Sequence, residues 1–438
     1  QTRLEVGSYR PVALLPAISK LVEKVLQTQL SEFAEQHKLL PADQHGFRKG
    51  RSVDTALATV TARMAAAVES KHEAVLSAFD FSAAFDTVDR ELLLKKMPWL
   101  DVTSTALLES YLTDRSQQVS WNGSKSTLIP VPYGVPQGSI LGPLLFIFMT
   151  ADLPEHLGSG AGGPQGGRSD VTLYADDTSV IDIGPSKEEL PVRQAHTSEK
   201  VATYSAENWL SLNNGKTQTM EVSKSVRATS SSNQQTLQLL GTQLDAKLTF
   251  VQHHAQVLRD VVGRTAVIRR LRVEISRGPL LKAAAWALVV GKIQGTAWVT
   301  RRVRLSDEET VPSEARELQV AINDLARVLL GVRRAEHVKI SDLLDRTGLP
   351  SLNEIVVQQS AVSAWKAAKG GALAGLLHGF DTRTRGASSD LVKAVTPSCI
   401  ASTNMARVWN ASSDLRQAQT LTTAKAIAKR MARVHRFN

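Results

Sequence analysis

The segment Val171-Thr172-Leu173-Tyr174-Ala175-Asp176-Asp177-Thr178-Ser179-Val180-Ile181 places two adjacent carboxylates between two alternating apolar runs. That pattern reads as a hairpin with both acids at its tip. A pair of aspartates in a turn is also ordinary solvated turn chemistry. A third acid bears on the choice: Ala74-Val75-Leu76-Ser77-Ala78-Phe79-Asp80-Phe81 is an apolar strand carrying Asp80 at its end, ahead of Ser82-Ala83-Ala84-Phe85, which reads as the start of a capped helix. Asp80 taken singly fits a helix-capping neighbour. If the two strands lie side by side in one sheet, Asp80 meets Asp176 and Asp177, and three carboxylates in one cleft repel without a cation. Mg²⁺ suits such a set, because it takes one or two carboxylates and completes its shell with substrate phosphates. Two such ions can activate an attacking 3′-hydroxyl and stabilise a leaving pyrophosphate.

The elements that must position these acids alternate in type. Helical patterns run over Ile18 to Phe33, Ser104 to Leu112 and Thr197 to Trp209, with a strand over Ala74 to Phe81 and two short strands within Val171 to Ile183. Beyond Val251 the pattern is helical, through Leu280 to Val290, Glu314 to Leu330 and Leu352 to Ala368. Two loops interrupt the plan: Gly158 to Ser169, with six glycines and a proline in twelve residues, and the polar stretch Ala228 to Gln235.

The chain has 438 residues, 42% of them hydrophobic and 21% charged, which suits a globular chain of two or three modules and excludes a disordered or fibrous one. Its single cysteine, Cys399, excludes a disulfide framework or a zinc finger and points to a reducing, intracellular setting. No apolar run reaches the roughly 20 residues a membrane span needs, so no membrane partner is expected. The net charge of +10 is concentrated: between Val251 and Arg304 eleven Lys or Arg face two acids, and Lys425, Lys429, Arg430, Arg433 and Arg436 close the chain. Val257, Val261, Val262, Ile268 and Leu271 suggest one apolar stripe with arginines opposite, the form of a helix laid along a phosphate backbone, although a solvated helix face has the same composition.

The motifs form an ordered series. Tyr9-Arg10-Pro11-Val12-Ala13-Leu14-Leu15-Pro16 runs into Ser19-Lys20-Leu21-Val22-Glu23-Lys24, and Gln44-His45-Gly46-Phe47-Arg48-Lys49-Gly50-Arg51-Ser52 follows. Next come Asp80-Phe81-Ser82-Ala83-Ala84-Phe85-Asp86-Thr87-Val88, Gly134-Val135-Pro136-Gln137-Gly138-Ser139-Ile140-Leu141-Gly142-Pro143 and the Tyr174-Ala175-Asp176-Asp177 tip. Trp209-Leu210-Ser211-Leu212-Asn213 with Lys216-Thr217, and Leu239-Leu240-Gly241-Thr242-Gln243-Leu244-Asp245, complete it. Any one block is weak, but the ordered set resembles the reverse transcriptase of non-LTR (LINE-type) retrotransposons.

That resemblance implies an α/β right-hand polymerase, with fingers and palm over residues 1–250, a mainly helical thumb and post-thumb region over 251–370, and a C-terminal extension of unassigned role over 371–438. The palm would be a small antiparallel sheet backed by helices. The implied activity is RNA-directed addition of dNTPs to a DNA primer on an RNA template, with two Mg²⁺ ions and Mn²⁺ as a substitute. Asp80, Asp176 and Asp177 would be the catalytic carboxylates, with the Phe81 carbonyl as a further metal ligand. Phe85 would crowd a ribose 2′-hydroxyl; its plain alternative is a buried helix aromatic. Gln137 and Gly138 would floor the nucleotide, or else form a turn ahead of the helix from Pro143. Arg10 and Arg48 would meet the triphosphate, and Lys216 would protonate departing pyrophosphate; surface cations look the same in sequence. Arg259, Arg264, Arg269, Arg270 and Arg272 would follow the nucleic-acid backbone.

An idle nucleic-acid-binding protein, either a decayed remnant or a domesticated one, and an intron-maturase-type RNA-splicing cofactor, which shares the same palm, remain alternatives. Family members usually carry an upstream endonuclease and often a zinc knuckle or RNase H domain; there is no room for the first before Tyr9, and one cysteine cannot build a knuckle, so a fragment of a longer frame is expected. Family analogy puts the protein in nucleus and cytoplasm, and oligomeric state stays open.

Overall fold

The computed structural model describes residues 12–100, 105–160, 167–222, 236–275, 278–295, 297–306, 313–376 and 399–435. Residues 161–166 of the expected glycine-rich loop and the whole of the Ala228 to Gln235 loop lie outside these residues, as do Arg277 and Arg436. Two compact units divide the chain: residues 1–52 with 73–219, and residues 53–72 with 220–438.

In the first unit the chain builds a small sheet in which Glu73–Phe79, Asp177–Gly184 and Arg168–Tyr174 lie side by side in that order. Glu73–Phe79 and Asp177–Gly184 are antiparallel, as are Arg168–Tyr174 and Asp177–Gly184. Glu73–Phe79 is buried along most of its length, which is why it reads as a near-continuous apolar run. Helix Glu189–Glu207 packs across Glu73–Phe79 and Asp177–Gly184; it starts eight residues before the expected Thr197, because Leu190 and Thr197 continue the buried face of Val201 and Tyr204. Helix Gly142–Met149 is buried on nearly every side, as its unbroken apolar sequence requires. Leu144 through Met149 meet Phe79, Phe81, Leu93, Val171, Leu173, Val180 and Tyr204 in one core.

The stretch after Asp80 departs from expectation. No helix begins at Ser82: Phe81–Ser82 forms a short strand paired with Ser211–Leu212, and Ala83 takes a left-handed φ of 49° that halts any helical run. The Ala83 carbonyl accepts from Asp86 N and Thr87 N instead, and the helix begins at Arg90, where the Asp89 side chain accepts from Leu92 N.

The second unit is mainly helical, with one hairpin, Thr236–Leu239 against Thr242–Asp245. Val53–Glu69, although early in sequence, belongs here and packs on Ile400–Ala411 and Ala297–Thr300. Leu352–Ala368 lies against Leu421–Val434 and Ile400–Ala411; its start is fixed by a reciprocal box in which Ser351 accepts from Glu354 N and Glu354 accepts from Ser351 N. The long helix Val251–Glu274 buries His253, Val257, Val261, Thr265 and Ile268. Val262, expected in that stripe, is exposed, since one step turns the helix by about 100° away from Val261. The expected helix over Leu280 to Val290 is Pro279–Ala285 running into a π-helical turn, Trp286–Val290.

Candidate active site

The hairpin register is the frame of the site. Tyr174 pairs with Asp177, so Ala175 and Asp176 are the two turn residues and Asp177 is the first residue of the returning strand. On the other side of that strand Phe79 pairs with Thr178. Asp80 therefore leaves its strand at the end where the turn lies, one position beyond the last paired residue. Ala175 has φ 56°, and a non-glycine residue in that region costs about 1–2 kcal/mol. A two-residue turn with positive φ at its first position ordinarily takes glycine there.

Asp80 is held at both ends. Its carbonyl accepts from Asn213 N at 2.8 Å, and its carboxylate faces Lys216 Nζ at 3.5 Å. The Lys216 side chain is 69% exposed and that of Asp80 32% exposed, so the pair stands at the water boundary. Among the described residues no group of three or more His, Cys, Asp or Glu side chains is close enough to hold a metal ion unaided. The donors nonetheless suit a hard cation that draws the rest of its shell from substrate phosphate and water. Asp80 already faces one cationic group, the Lys216 ammonium.

A second loop meets the turn after Asp80. Val135 N donates to the Phe85 carbonyl and Gly134 N to the Val88 carbonyl, each at 2.8 Å. Gln137 Nε2 donates to Asp86 Oδ2 at 2.6 Å, while burial holds the Asp86 carboxyl above its ordinary range and that hydrogen bond opposes the shift. Arg90 fastens the base of the loop by donating to the carbonyls of Leu112, Val131, Tyr133 and Gly134. Gly138 has φ 95°, a region side chains rarely enter, and a Cβ there would stand 3.3 Å from the Ala13 carbonyl. The half-buried Phe85 ring lies 4.9 Å from Phe146 and 6.4 Å, edge-on, from Phe47. The structure thus brings Phe85, Gln137 and Gly138 to one loop pair, and Asp80 and Lys216 to another.

Arg48 is placed differently. Its Nε and Nη2 each donate to the Glu35 carboxylate at 2.7 Å, and its Nη1 donates to the Pro41 and Gln44 carbonyls. With a side chain only 6% exposed it works as an internal clamp and holds Glu35 below the usual carboxylate range. Arg10 lies outside the described residues. In the second unit Arg259, Arg269 and Arg270 are exposed and Arg272 is half-buried; Arg264 donates to the Leu288 carbonyl at 2.7 Å.

Two residues to which the sequence alone assigned no role turn out to shape the site. Buried Glu23 accepts from Ile140 N at 2.6 Å and from Leu141 N, just ahead of helix Gly142–Met149. Ser19 and Tyr111 hydroxyls donate to its other oxygen, and burial pushes the Tyr111 phenol up to about 12. Gln44 Oε1 accepts from Ala175 N at 2.9 Å and from Gly46 N at 2.7 Å. Both residues sit inside quoted motifs, but nothing in one sequence distinguishes a buried polar anchor from a surface one.

Comparison with known proteins agrees with these features. Residues 2–244 match the family model of the reverse transcriptase (RNA-dependent DNA polymerase). The chain is 31% identical over 295 residues to the RNA-directed DNA polymerase from mobile element jockey of Drosophila melanogaster, covering 64% of this chain and 31% of that protein. It is 36% identical over 177 residues to the probable RNA-directed DNA polymerase from transposon X-element of the same fly, covering 40% of this chain and 19% of that protein. The chain thus spans less than a third of each of these relatives. Among solved structures, apo telomerase from Candida tropicalis aligns with a TM-score of 0.39 and 10% identity over 87% of this chain and 61% of that one. The motif series, the antiparallel sheet backed by helices and the family match over more than half the chain agree, and this chain belongs to the reverse transcriptase family, of the non-LTR retrotransposon type.

Proposed function

We propose that the chain extends a DNA 3′-end with dNTPs on an RNA template. The observation that carries the reading is the ladder in which Phe79 pairs with Thr178 and Tyr174 with Asp177, since it sets Asp80 at the same sheet end as the Asp176–Asp177 turn. Asp80 and Asp176 would hold divalent cations, with Asp177 and the Phe81 carbonyl as further oxygen donors. Bound there, Mg²⁺, or Mn²⁺ in its place, would favour ionisation of the primer hydroxyl and neutralise charge on the departing pyrophosphate.

The chain's own groups then do the following. The primer 3′-oxygen forms a bond to the α-phosphorus while the bond from that phosphorus to the α,β-bridging oxygen breaks, and the hydroxyl proton goes to solvent. Lys216 Nζ, 3.5 Å from Asp80, turns to the pyrophosphate and gives it a proton. Gln137 and Gly138 carry the base and sugar from below, and Phe85 stands against the 2′ position. Arg48 serves by holding its loop through Glu35. In this assignment residues 1–250 supply fingers and palm, residues 251–370 the thumb and post-thumb region with its exposed arginines, and residues 371–438 an extension.

Primer extension on an RNA template, comparing the parent with Asp176→Asn, tests the reading. Loss of a metal-holding carboxylate should lower the rate by at least about a hundredfold, of the order seen when one transition-state electrostatic group is removed. Equal extension by both proteins would overturn it.

A further inference from the structure

We propose that Gln44 and Gly46 form a brace that sets the position of the Asp176–Asp177 turn, Gln44 being a positioning residue for nucleotide addition; the inference rests on the polymerase reading above. The turn needs support, because Ala175 occupies a left-handed conformation that suits glycine, and relaxation of Ala175 would swing the adjoining Asp176.

The support comes from residues 43–46. Asp43 O accepts from Leu173 N at 2.9 Å and His45 N donates to Leu173 O at 2.7 Å, so Gln44 forms a parallel bridge with Leu173. From there its side chain, 1% exposed, reaches the turn: one oxygen accepts both Ala175 N and Gly46 N. Gly46 allows the approach, since a Cβ there would stand 2.3 Å from Ala175 N. The brace is itself anchored, as Arg48 Nη1 donates to the Gln44 carbonyl while its other donors grip Glu35. Gln44 Nε2 is buried without a hydrogen-bond partner. The acceptor oxygen is therefore the part that acts, and a carboxyl group, protonated where burial demands it, presents the same oxygen.

The test compares Gln44→Met, Gln44→Glu and Gly46→Ala with the parent. Amide hydrogen exchange of the Tyr174–Thr178 segment is read without metal or substrate, followed by kcat, KM for dNTP and primer–template affinity. Gln44→Met should speed exchange at Ala175 by at least about tenfold and lower kcat by about a hundredfold, as a misplaced reacting group does. KM and primer–template affinity should stay within about threefold. Gln44→Glu should keep most of both the protection and kcat, whereas Gly46→Ala, pressing on the turn from outside, should act like Gln44→Met. Parent-like exchange in Gln44→Met overturns the brace, as does equal damage by Met and Glu, which would make Gln44 a packing residue. A parent protein that extends no primer defeats the polymerase reading instead, and exchange at Ala175 still decides the brace.

Discussion

Phe85 packs its ring on Phe146 in the core and meets exposed Phe47 at right angles, so one aromatic side chain joins the core to the surface. If the ring excludes a 2′-hydroxyl, Phe85→Val should raise the ratio of ribonucleotide to deoxyribonucleotide incorporation while dNTP addition falls only modestly, because a clash is removed and no ligand is lost. Incorporation assays with paired rNTP and dNTP substrates measure that ratio, and an unchanged value would reduce Phe85 to a core aromatic. The neighbouring Asp86 acts through a hydrogen bond instead. By accepting from Gln137 it ties that side chain to the turn that carries Phe85.

Two helices carry a largely desolvated carboxyl group at or just before their first turn. Glu23 is that group for Gly142–Met149 in the first unit. In the second, Asp54 in the first turn of Val53–Glu69 accepts from Trp298, and burial pushes its carboxyl from 3.8 up to about 6 against the opposing pull of Trp298 and Lys366. The folded state thus keeps a proton on Asp54 at a pH where the unfolded chain has released it. Stability from this group is complete below 3.8 and is lost as pH rises through 6. Asp54→Asn, which retains an acceptor for Trp298, should therefore stabilise the protein above pH 6 by at most about 3 kcal/mol and bring little gain near pH 4. Denaturant unfolding on either side of the transition checks the sign, and an equal difference at both pH values would refute the assignment.

At the scale of the molecule the basic surplus between Val251 and Arg304 becomes specific side chains. Arg269 and Arg270 are exposed on the long helix, whereas Arg264 is engaged with the Leu288 carbonyl. If the helix follows a phosphate backbone, replacing Arg269 and Arg270 with Gln should flatten the dependence of log affinity on log salt by up to about two units, on any nucleic-acid sequence. Arg264→Gln should flatten it less and lower the melting temperature, because its guanidinium already serves the fold. Binding titrations over a range of salt concentrations separate these outcomes, and a double-variant slope identical to the parent's would turn this helix face to solvent.

The candidate acids were legible in the sequence because local pattern suffices to place them: alternating apolar residues around Asp176-Asp177 demand a hairpin, and the apolar run before Asp80 demands a strand. The helices Ala17–Gln36, Ser313–Leu330 and Leu352–Ala368 were legible for the same reason, their apolar residues recurring at helical spacing. What tertiary structure decided were relations between residues distant in the chain. The capped helix expected at Ser82 gave way because Phe81–Ser82 finds its partner in Ser211–Leu212, a pairing no local pattern encodes. Arg48 became a clamp because Glu35 and the Pro41 carbonyl stand beside it, and Val53–Glu69 joined the second unit because Ile400–Ala411 covers it. The fit of Gly46 against Ala175, with Gln44 beneath the turn, arises only where segments about 130 residues apart come together. Periodicity fixes which face of an element is apolar, but the partner that buries that face, and the polar atoms brought along with it, are settled only when the chain closes on itself.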